Sequence, residues 1–233
     1  MSSVAIIIAR GGSKRIPKKN IKEFCGKPII AYSIEAAINS QCFNEVMVST
    51  DDEEIASIAR KYGATIPFMR SSETSNDYAT MADVLLEVLM NYKKMGHEFE
   101  YHCCIYPTAP FVTADKLIEG MNLIKQTGAE EVCPFTRFNV PPQWRATVDN
   151  NGFVSFSEPD KIRVRSQDLE PMYYDPGQFY VYNTKKFIEN GAPVVIENQV
   201  AIIVPENEVQ DIDTIEDWEM AEIKYKLMMA KRS

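Results

Sequence analysis

Six cations fall between positions 10 and 22 of this chain: Arg10, Lys14, Arg15, Lys18, Lys19 and Lys22, with no acid among them. Gly11-Gly12 sits inside the run. Glycine puts no Cβ in the way, so backbone N–H groups can reach phosphate oxygens, while lysine adds a point charge and arginine a bidentate fork. Near the other end, Asp211 and Asp213 stand two apart. In an extended segment that spacing turns both carboxylates to one side, where they can share a hard cation. The same stretch, Asp213-Thr-Ile-Glu216, also matches a helix N-cap with an acidic third position, and residues 206–222 hold eight acids and no base, as a solubilising surface would. Residue types alone leave those readings level. The basic loop and the acid pair do complement one another, since a metal-bound anionic ligand needs cations for its own charge and anions for its metal.

The overall charge narrows the ligand further. The 233 residues carry 25 basic and 33 acidic side chains, a net −8; without the six-residue run the balance is 19 against 33, or −14. A duplex nucleic-acid binder is normally basic overall, so nucleic acid is excluded as a partner and a small anion is favoured. The loop lacks the Gly-Lys-Ser/Thr of a Walker motif and the G-x-G-x-x-G dinucleotide pattern. A solvated basic loop is the plain alternative. His97 and His102 have no partner at useful spacing, and Ser13 has no Ser–His–Asp set, which argues against histidine-dependent or nucleophilic chemistry.

The elements that must position these groups alternate from the start. Residues 4–9 form a continuous apolar run ending at Gly11-Gly12, as a strand buried on both faces does. Pro28 opens a helix with Ile30, Ile34, Ala37 and Ile38 on one face. Strands are expected at 45–50, 66–69, 102–106 and 131–135. Helices are expected at about 52–62, capped by Asp51 or Asp52 and stopped by Gly63, and at 78–94 and 113–127. This βαβ rhythm predicts an α/β fold with a mostly parallel central sheet, whose ligand sites lie at strand carboxyl ends. The rhythm breaks near Arg137. Residues 146–148 and 153–156 flank Asn150-Asn151-Gly152, a hairpin signal. A polar, proline-punctuated stretch at 163–178 precedes a strand at 179–183, one or two strands at 194–204 and a closing helix at 214–229. The expectation is a single domain, 1–233, with an arm at 137–178.

Five cysteines, Cys25, Cys42, Cys103, Cys104 and Cys133, show no zinc spacing, and their odd number without a secretory leader suits a reducing compartment. No apolar stretch approaches the roughly 18 residues of a membrane helix. A cytoplasmic protein with no membrane partner is expected.

The motif Ile8-Ala-Arg-Gly-Gly-Ser-Lys-Arg-Ile-Pro-Lys-Lys-Asn20, followed by Gly26-Lys-Pro28, resembles the opening signature of the acylneuraminate cytidylyltransferases, the synthetases of CMP-activated nonulosonic acids. Shorter supporting matches run along the chain: Ser49-Thr-Asp51, Tyr106-Pro-Thr-Ala-Pro110 and Asp211-Ile-Asp-Thr214. The resemblance implies a Rossmann-like, GT-A-like nucleotidyltransferase in three layers. It implies an enzyme that joins CTP to a nonulosonic acid with release of pyrophosphate. Ala9, Arg10, Gly11, Gly12, Ser13, Lys14, Lys19 and Asn20 would hold the nucleotide, Lys14 and Arg10 acting on the reacting phosphate. Arg70, Asp77 and Thr80 would lie where cytosine is recognised, and Asp211 and Asp213 would bind Mg²⁺. It also implies a homodimer, the arm serving for contact and extending over a neighbour's site.

The middle segment carries donors and acceptors suited to an acidic, hydroxylated, N-acylated sugar: Arg165 for a carboxylate, and Gln167, Asp168 and Gln178 for hydroxyls and amides, with Tyr106 and Tyr180 alongside. Sialic acid synthetases typically carry Asn-Gly near the end of this stretch. Here it reads Asp175-Pro-Gly-Gln178, which, with Gln167-Asp-Leu and residues 21–28, looks most like the pseudaminic acid branch. The Kdo branch has a metal-binding aspartate after the fourth strand, and 106–110 has no acid. N-acetylneuraminic and legionaminic acid are the alternative sugars, and a non-catalytic nucleotide-binding regulatory module is the alternative of another class.

Overall fold

Val4, Ala5, Ile6 and Ile7 are fully buried, and the strand they form is central to the molecule. In the computed structural model, which describes residues 2–193 and 196–232, β1 (Ser3–Ile8) lies beside two parallel neighbours. Two short strands, β2 (Glu23–Phe24) and β3 (Lys27–Pro28), make a ribbon before α1 (Ile29–Ser40). They turn through Cys25 and Gly26, at φ 46° and 98°. The neighbours of β1 are β4 (Glu45–Ser49) and β5 (Tyr101–Ile105). Between these come α2 (Glu53–Lys61), α3 (Ser72–Ser75) and α4 (Met81–Lys94), and after β5 comes α5 (Ala114–Thr127).

The next strand is β6 (Glu131–Arg137), followed by the arm hairpin of β7 (Ala146–Val148) and β8 (Val154–Phe156), then β9 (Tyr173–Tyr174), β10 (Phe179–Asn183), α6 (Thr184–Glu189), β11 (Gln199–Ile203) and α7 (Ile215–Arg232). The sheet order is β11-β6-β10-β5-β1-β4, with β9 paired to the end of β6. All neighbours along that order are parallel except β10, which runs antiparallel to both β5 and β6. The expected parallel sheet is thus present with one reversed strand inside it. Helices α1, α2 and α5 pack on one face and α4 and α6 on the other, which makes the three layers. A third apolar cluster joins Phe24, α1 and α7 to Ile16 of the basic loop.

Two expectations change. Residues 66–69 are not a strand: only Thr65 bridges to Met47, and Pro67 has no N–H with which to extend the ladder. Residues 194–195 of the expected 194–204 strand region lie outside the described residues, and β11 occupies its second half. The hairpin at 146–156 forms as expected, with every residue of β7 and β8 exposed. Among the described residues no helix is long and apolar enough to cross a membrane.

The face under α4 buries two titratable groups of opposite behaviour. His102 is wholly buried; its Nδ1 lies 3.0 Å from the Thr184 hydroxyl, and burial lowers its pKa to about 3. Glu131 is buried beside Tyr182 and Gln199, and burial raises its pKa to about 7. Their contributions to stability oppose each other. The neutral His102 is favourable above its unfolded value of 6.5, and that contribution fades as pH falls toward 3. Glu131 is favourable below its unfolded value of 4.5, and its contribution is lost as pH rises through about 7. In the overlap the two largely cancel. Glu131→Gln should therefore lose about 1.4 kcal/mol per pH unit relative to wild type as pH falls from about 6.5 to 4.5. Urea unfolding across that range reads the difference, and parallel curves would overturn it.

Candidate active site

The basic loop leaves β1 at its carboxyl end and is folded by contacts from distant elements. The Gly11 N–H donates to Asp51 Oδ1 at 2.9 Å, and the Asn20 side-chain amide donates to the Arg10 carbonyl at 2.9 Å. The choice between Asp51 and Asp52 as helix cap is resolved here. Asp52 caps α2, accepting from the N–H groups of Glu54 and Ile55, which leaves Asp51 to brace the loop. With Gly11 engaged and Ser13 N–H donating to the Gly11 carbonyl, Gly12 has the glycine amide not taken up by protein among the described residues.

The acid pair is positioned by what lies between its members. Ile212 is buried in the same apolar cluster as Ile16 and Trp218, so the segment is pinned to the basic loop through its middle residue. The capping box forms on Thr214 and Asp217 rather than on Asp213 and Glu216: Asp217 Oδ2 accepts from Thr214 N–H and its N–H returns to the Thr214 hydroxyl. Asp213 is thereby left to meet cations. It pairs with Arg15 at 2.7 Å and Lys19 at 3.5 Å, while Lys19 Nζ also donates to the Ile212 carbonyl at 2.6 Å. Partial burial and the charge of Asp213 hold the Asp211 carboxyl above its usual pKa. A cation between the two would relieve that repulsion, and two hard oxygen donors suit Mg²⁺. Among the described residues no group of three or more His, Cys, Asp or Glu forms a complete cage, so substrate oxygens would have to complete the coordination.

Arg10 and Lys14 are held differently. Arg10 donates to Asp77 Oδ1 at 2.7 Å and Lys14 to Asp77 Oδ2 at 2.5 Å, so one carboxylate bridges both cations, which pull its pKa down. Two acceptor oxygens of one side chain thus span Arg10 and Lys14. Arg70 is buried, with its guanidinium on the Ser49 hydroxyl and carbonyl at 3.0 and 2.6 Å, where it fixes the end of β4. Thr80 caps α4 in a capping box with Asp83.

Three cavities meet at Tyr106. One, of about 410 Å³, is lined by Arg10, Ser13, Lys14, Arg15, Lys19 and Asn20. The second, of about 510 Å³, holds Asp175, Tyr180, Asp211, Asp213 and Lys224, and the third, of about 390 Å³, runs past Thr80 and Tyr180 to Glu131. Tyr106 borders all three, and burial pushes its hydroxyl up to about 12, so it is a neutral donor. Tyr180 donates to Asp175 at 2.7 Å. Gln178 is buried; its side-chain amide donates to the Glu208 carbonyl and its backbone carbonyl accepts from Tyr106 N–H, so it supports the cleft from beneath. Arg165 and Asp168 pair with each other at 2.8 Å on the exposed arm. Gln167 lines a separate space under the arm with Arg137 and Glu206. The structure does not bring these three arm residues to the Tyr106 cleft of the same chain. Conversely, Glu131 borders the site's extension without having been singled out, and Arg15, Asp51 and Asp175, which adjoin the site, were named only as members of motifs. Asp175 was the legible one, since its carboxylate accepts from Gly177 N–H in the turn that Asp-Pro-Gly announces.

A Cβ at Gly11 would fall 2.8 Å from Asp52 Oδ2 and 3.0 Å from Asp52 Cβ, whereas one at Gly12 would meet nothing within 4 Å. Gly11→Ala should therefore be about 1 kcal/mol less stable than Gly12→Ala, by strain on the loop or on the α2 cap. Urea unfolding of the two variants measures this, and equal stability would refute the close approach of Gly11 to the Asp52 cap.

The comparisons with known proteins agree with this geometry. The family profile "Cytidylyltransferase" matches residues 4–204. The chain is 40% identical over 227 residues to the pseudaminic acid cytidylyltransferase of Campylobacter jejuni, covering 97% of each. It is 32% identical to the CMP-N,N'-diacetyllegionaminic acid synthase of Legionella pneumophila, covering 95% of each. A solved CMP-2-keto-3-deoxy-manno-octonic acid synthetase complexed with CTP superposes with a TM-score of 0.68 over the whole of both chains at 18% identity, a likeness of fold. The profile match and these identities establish that the chain belongs to the cytidylyltransferase family, among the enzymes that make CMP-activated nonulosonic acids.

Proposed function

We propose that this enzyme transfers CMP from CTP to pseudaminic acid and releases pyrophosphate. The observation that carries the reading is the contact between the two charged segments: Arg15 and Lys19 meet Asp213 at the edge of a cleft whose wall is Arg10 and Lys14. Such a cleft can take a triphosphate and its metal together. Greater identity to the C. jejuni pseudaminic acid enzyme than to the Legionella one favours the sugar.

In the reaction the anomeric hydroxyl attacks the α-phosphorus in line; a P–O bond to the sugar forms as the P–O bond to pyrophosphate breaks, and the hydroxyl's proton is released to solvent. Arg10 and Lys14 exchange Asp77 for phosphate oxygens and stabilise the charge that builds on the phosphorus oxygens. Asp211 and Asp213 would hold Mg²⁺, which supplies charge neutralisation at the phosphates when bound. Tyr106 stands between the nucleotide loop and the space around Tyr180, where the sugar would sit. Catalysis is then positioning and electrostatics without a covalent enzyme intermediate. The reading is of a cytoplasmic enzyme, where CTP is made and thiols stay reduced. Lys14→Ala and Asp211→Ala should each lower pyrophosphate release from CTP and pseudaminic acid about 10²–10³-fold. Turnover like wild type in both would sink the assignment.

The domain reading continues as a proposal: one domain with an arm that pairs two copies. The hairpin exposes Val148 at 65% and Phe153 at 72%, more apolar surface than a solvated hairpin needs. On this reading Arg165, Gln167 and Asp168 serve the neighbour's cleft, which accounts for their distance from their own. Light scattering should report a dimer at micromolar concentration, and Val148→Asp with Phe153→Asp should yield a monomer that still binds CTP. A wild-type monomer would refute it.

A further inference from the structure

The cavity that runs from Tyr106 past Tyr180 ends on a row of polar side chains that the transfer reaction does not use. Three adjacent strands place them in register: Glu131 on β6 is paired with Tyr182 on β10 and with Gln199 on β11. Tyr182 lies two residues beyond Tyr180 on the same face, with the two rings stacked at 6.4 Å. Gln199 Nε2 donates to Glu131 Oε2 at 2.8 Å and lies 3.1 Å from Cys133 Sγ. The Tyr182 hydroxyl faces the same carboxyl, and Asp175 adds negative charge from the cleft side. No cation pairs with Glu131 among the described ion pairs, so a carboxyl is kept in the wall of a cavity without a charge partner.

Apart from Thr80 and Asp175, the rest of that wall is apolar. Met81 and Ala82 come from the first turn of α4, Phe187 from α6, and Pro193 and Ile196 from the segment before β11. An apolar wall beside an acceptor is complementary to an acylamino group, whose methyl packs on the wall while its N–H donates to the carboxylate. A hydroxyl in the same place would satisfy the acceptor and leave the wall unfilled.

Resting on the proposed function, the geometry points to Glu131 as a specificity-determining residue, held in place by Gln199 and Tyr182, that accepts the N–H of an acylamino group on the part of the sugar acid remote from the reacting hydroxyl. The nucleotide loop and Asp211 lie on the far side of Tyr106, so this contact selects the sugar without touching the phosphate chemistry. Burial, which raises the carboxyl's pKa to about 7, makes an incoming N–H more valuable, since it restores part of the solvation the group has lost.

The test assays the full chain with nonulosonic acids carrying one and two acylamino groups. Glu131→Gln should raise KM for the doubly acylated acid about tenfold and lower the preference for it by a similar factor, because a charged acceptor is replaced by a neutral one. The KM for CTP should stay within about twofold, as a contact remote from the nucleotide requires. In wild type the KM for the doubly acylated acid should fall as pH rises through about 7, and the variant should lose that dependence. An equal loss on both acids, or an unchanged preference, would show that Glu131 is structural only and overturn the assignment. The wild-type chain separates this from the function itself: no pyrophosphate with any nonulosonic acid would overturn the proposed function, whereas turnover with unaltered preference in Glu131→Gln overturns only the role of Glu131.

Discussion

Six like charges on one short loop repel, and the structure depends on how that repulsion is neutralised before any nucleotide arrives. Each cation is matched from a different part of the chain. Arg10 and Lys14 share Asp77, Arg15 and Lys19 share Asp213, Lys18 meets Glu54 at 2.5 Å, and Lys22 lies over the Trp218 ring at 4.5 Å. Exposed ion pairs of this kind contribute only about 0–1 kcal/mol each. That weakness matters under the proposed function: pairs of this strength can be exchanged for the oxygens of a more highly charged ligand. Asp77 is the hub of this arrangement, holding Arg10 and Lys14 side by side on one carboxylate.

What cannot be exchanged so cheaply is the apolar pin beneath the charges. Ile16 and Ile212, nearly two hundred positions apart in sequence, are buried in one cluster with Phe24 and Trp218. Burying side chains of this size contributes about 1.5–3 kcal/mol each, more than any one of the surface pairs above them. The basic loop and the acid pair are thus brought face to face by hydrophobic contact, and their charges then set the finer geometry. The sheet works in the same sense at the other wall. Reversal of β10 sets Tyr180 beside Cys104 and carries the chain past Gln178 to Tyr106, so the tyrosines end at the junction of the three cavities.

The sequence made local features legible and left those fixed by register obscure. The basic loop could be read because its chemistry lies within a dozen consecutive residues, and the α/β rhythm because each element carries its own period. The acid pair could be read only as ambiguous, since Asp213 and Thr214 are both good caps; the structure chose Thr214 because Ile212 had to turn inward. The short strand at 66–69 was an apolar run that Pro67 prevents from pairing. Helix α6, six residues long, is shorter than two turns and carries no periodicity to detect. Arg165, Gln167 and Asp168 had the right chemistry for a sugar, but side-chain type says nothing about which cleft an arm can reach.

Glu131 shows the same limit most clearly. In sequence it is one of two consecutive glutamates opening a strand, where an acid at a solvent-facing edge would be unremarked. Its burial comes from lateral pairing: Tyr182 is supplied by a strand that returns after the arm, and Gln199 by one that follows α6. Neither neighbour is within forty positions of it in sequence, so no local pattern could mark the residue. The cost of keeping a carboxyl there without a cation beside it is visible in its raised pKa, and it falls on the face where burial also holds His102 neutral. Replacing it with an apolar side chain would strip the Gln199 amide and the Tyr182 hydroxyl of their shared acceptor. Held by Gln199 and Tyr182 in a cavity wall that reaches Tyr106, it keeps a hydrogen-bond acceptor on a face that is otherwise largely apolar.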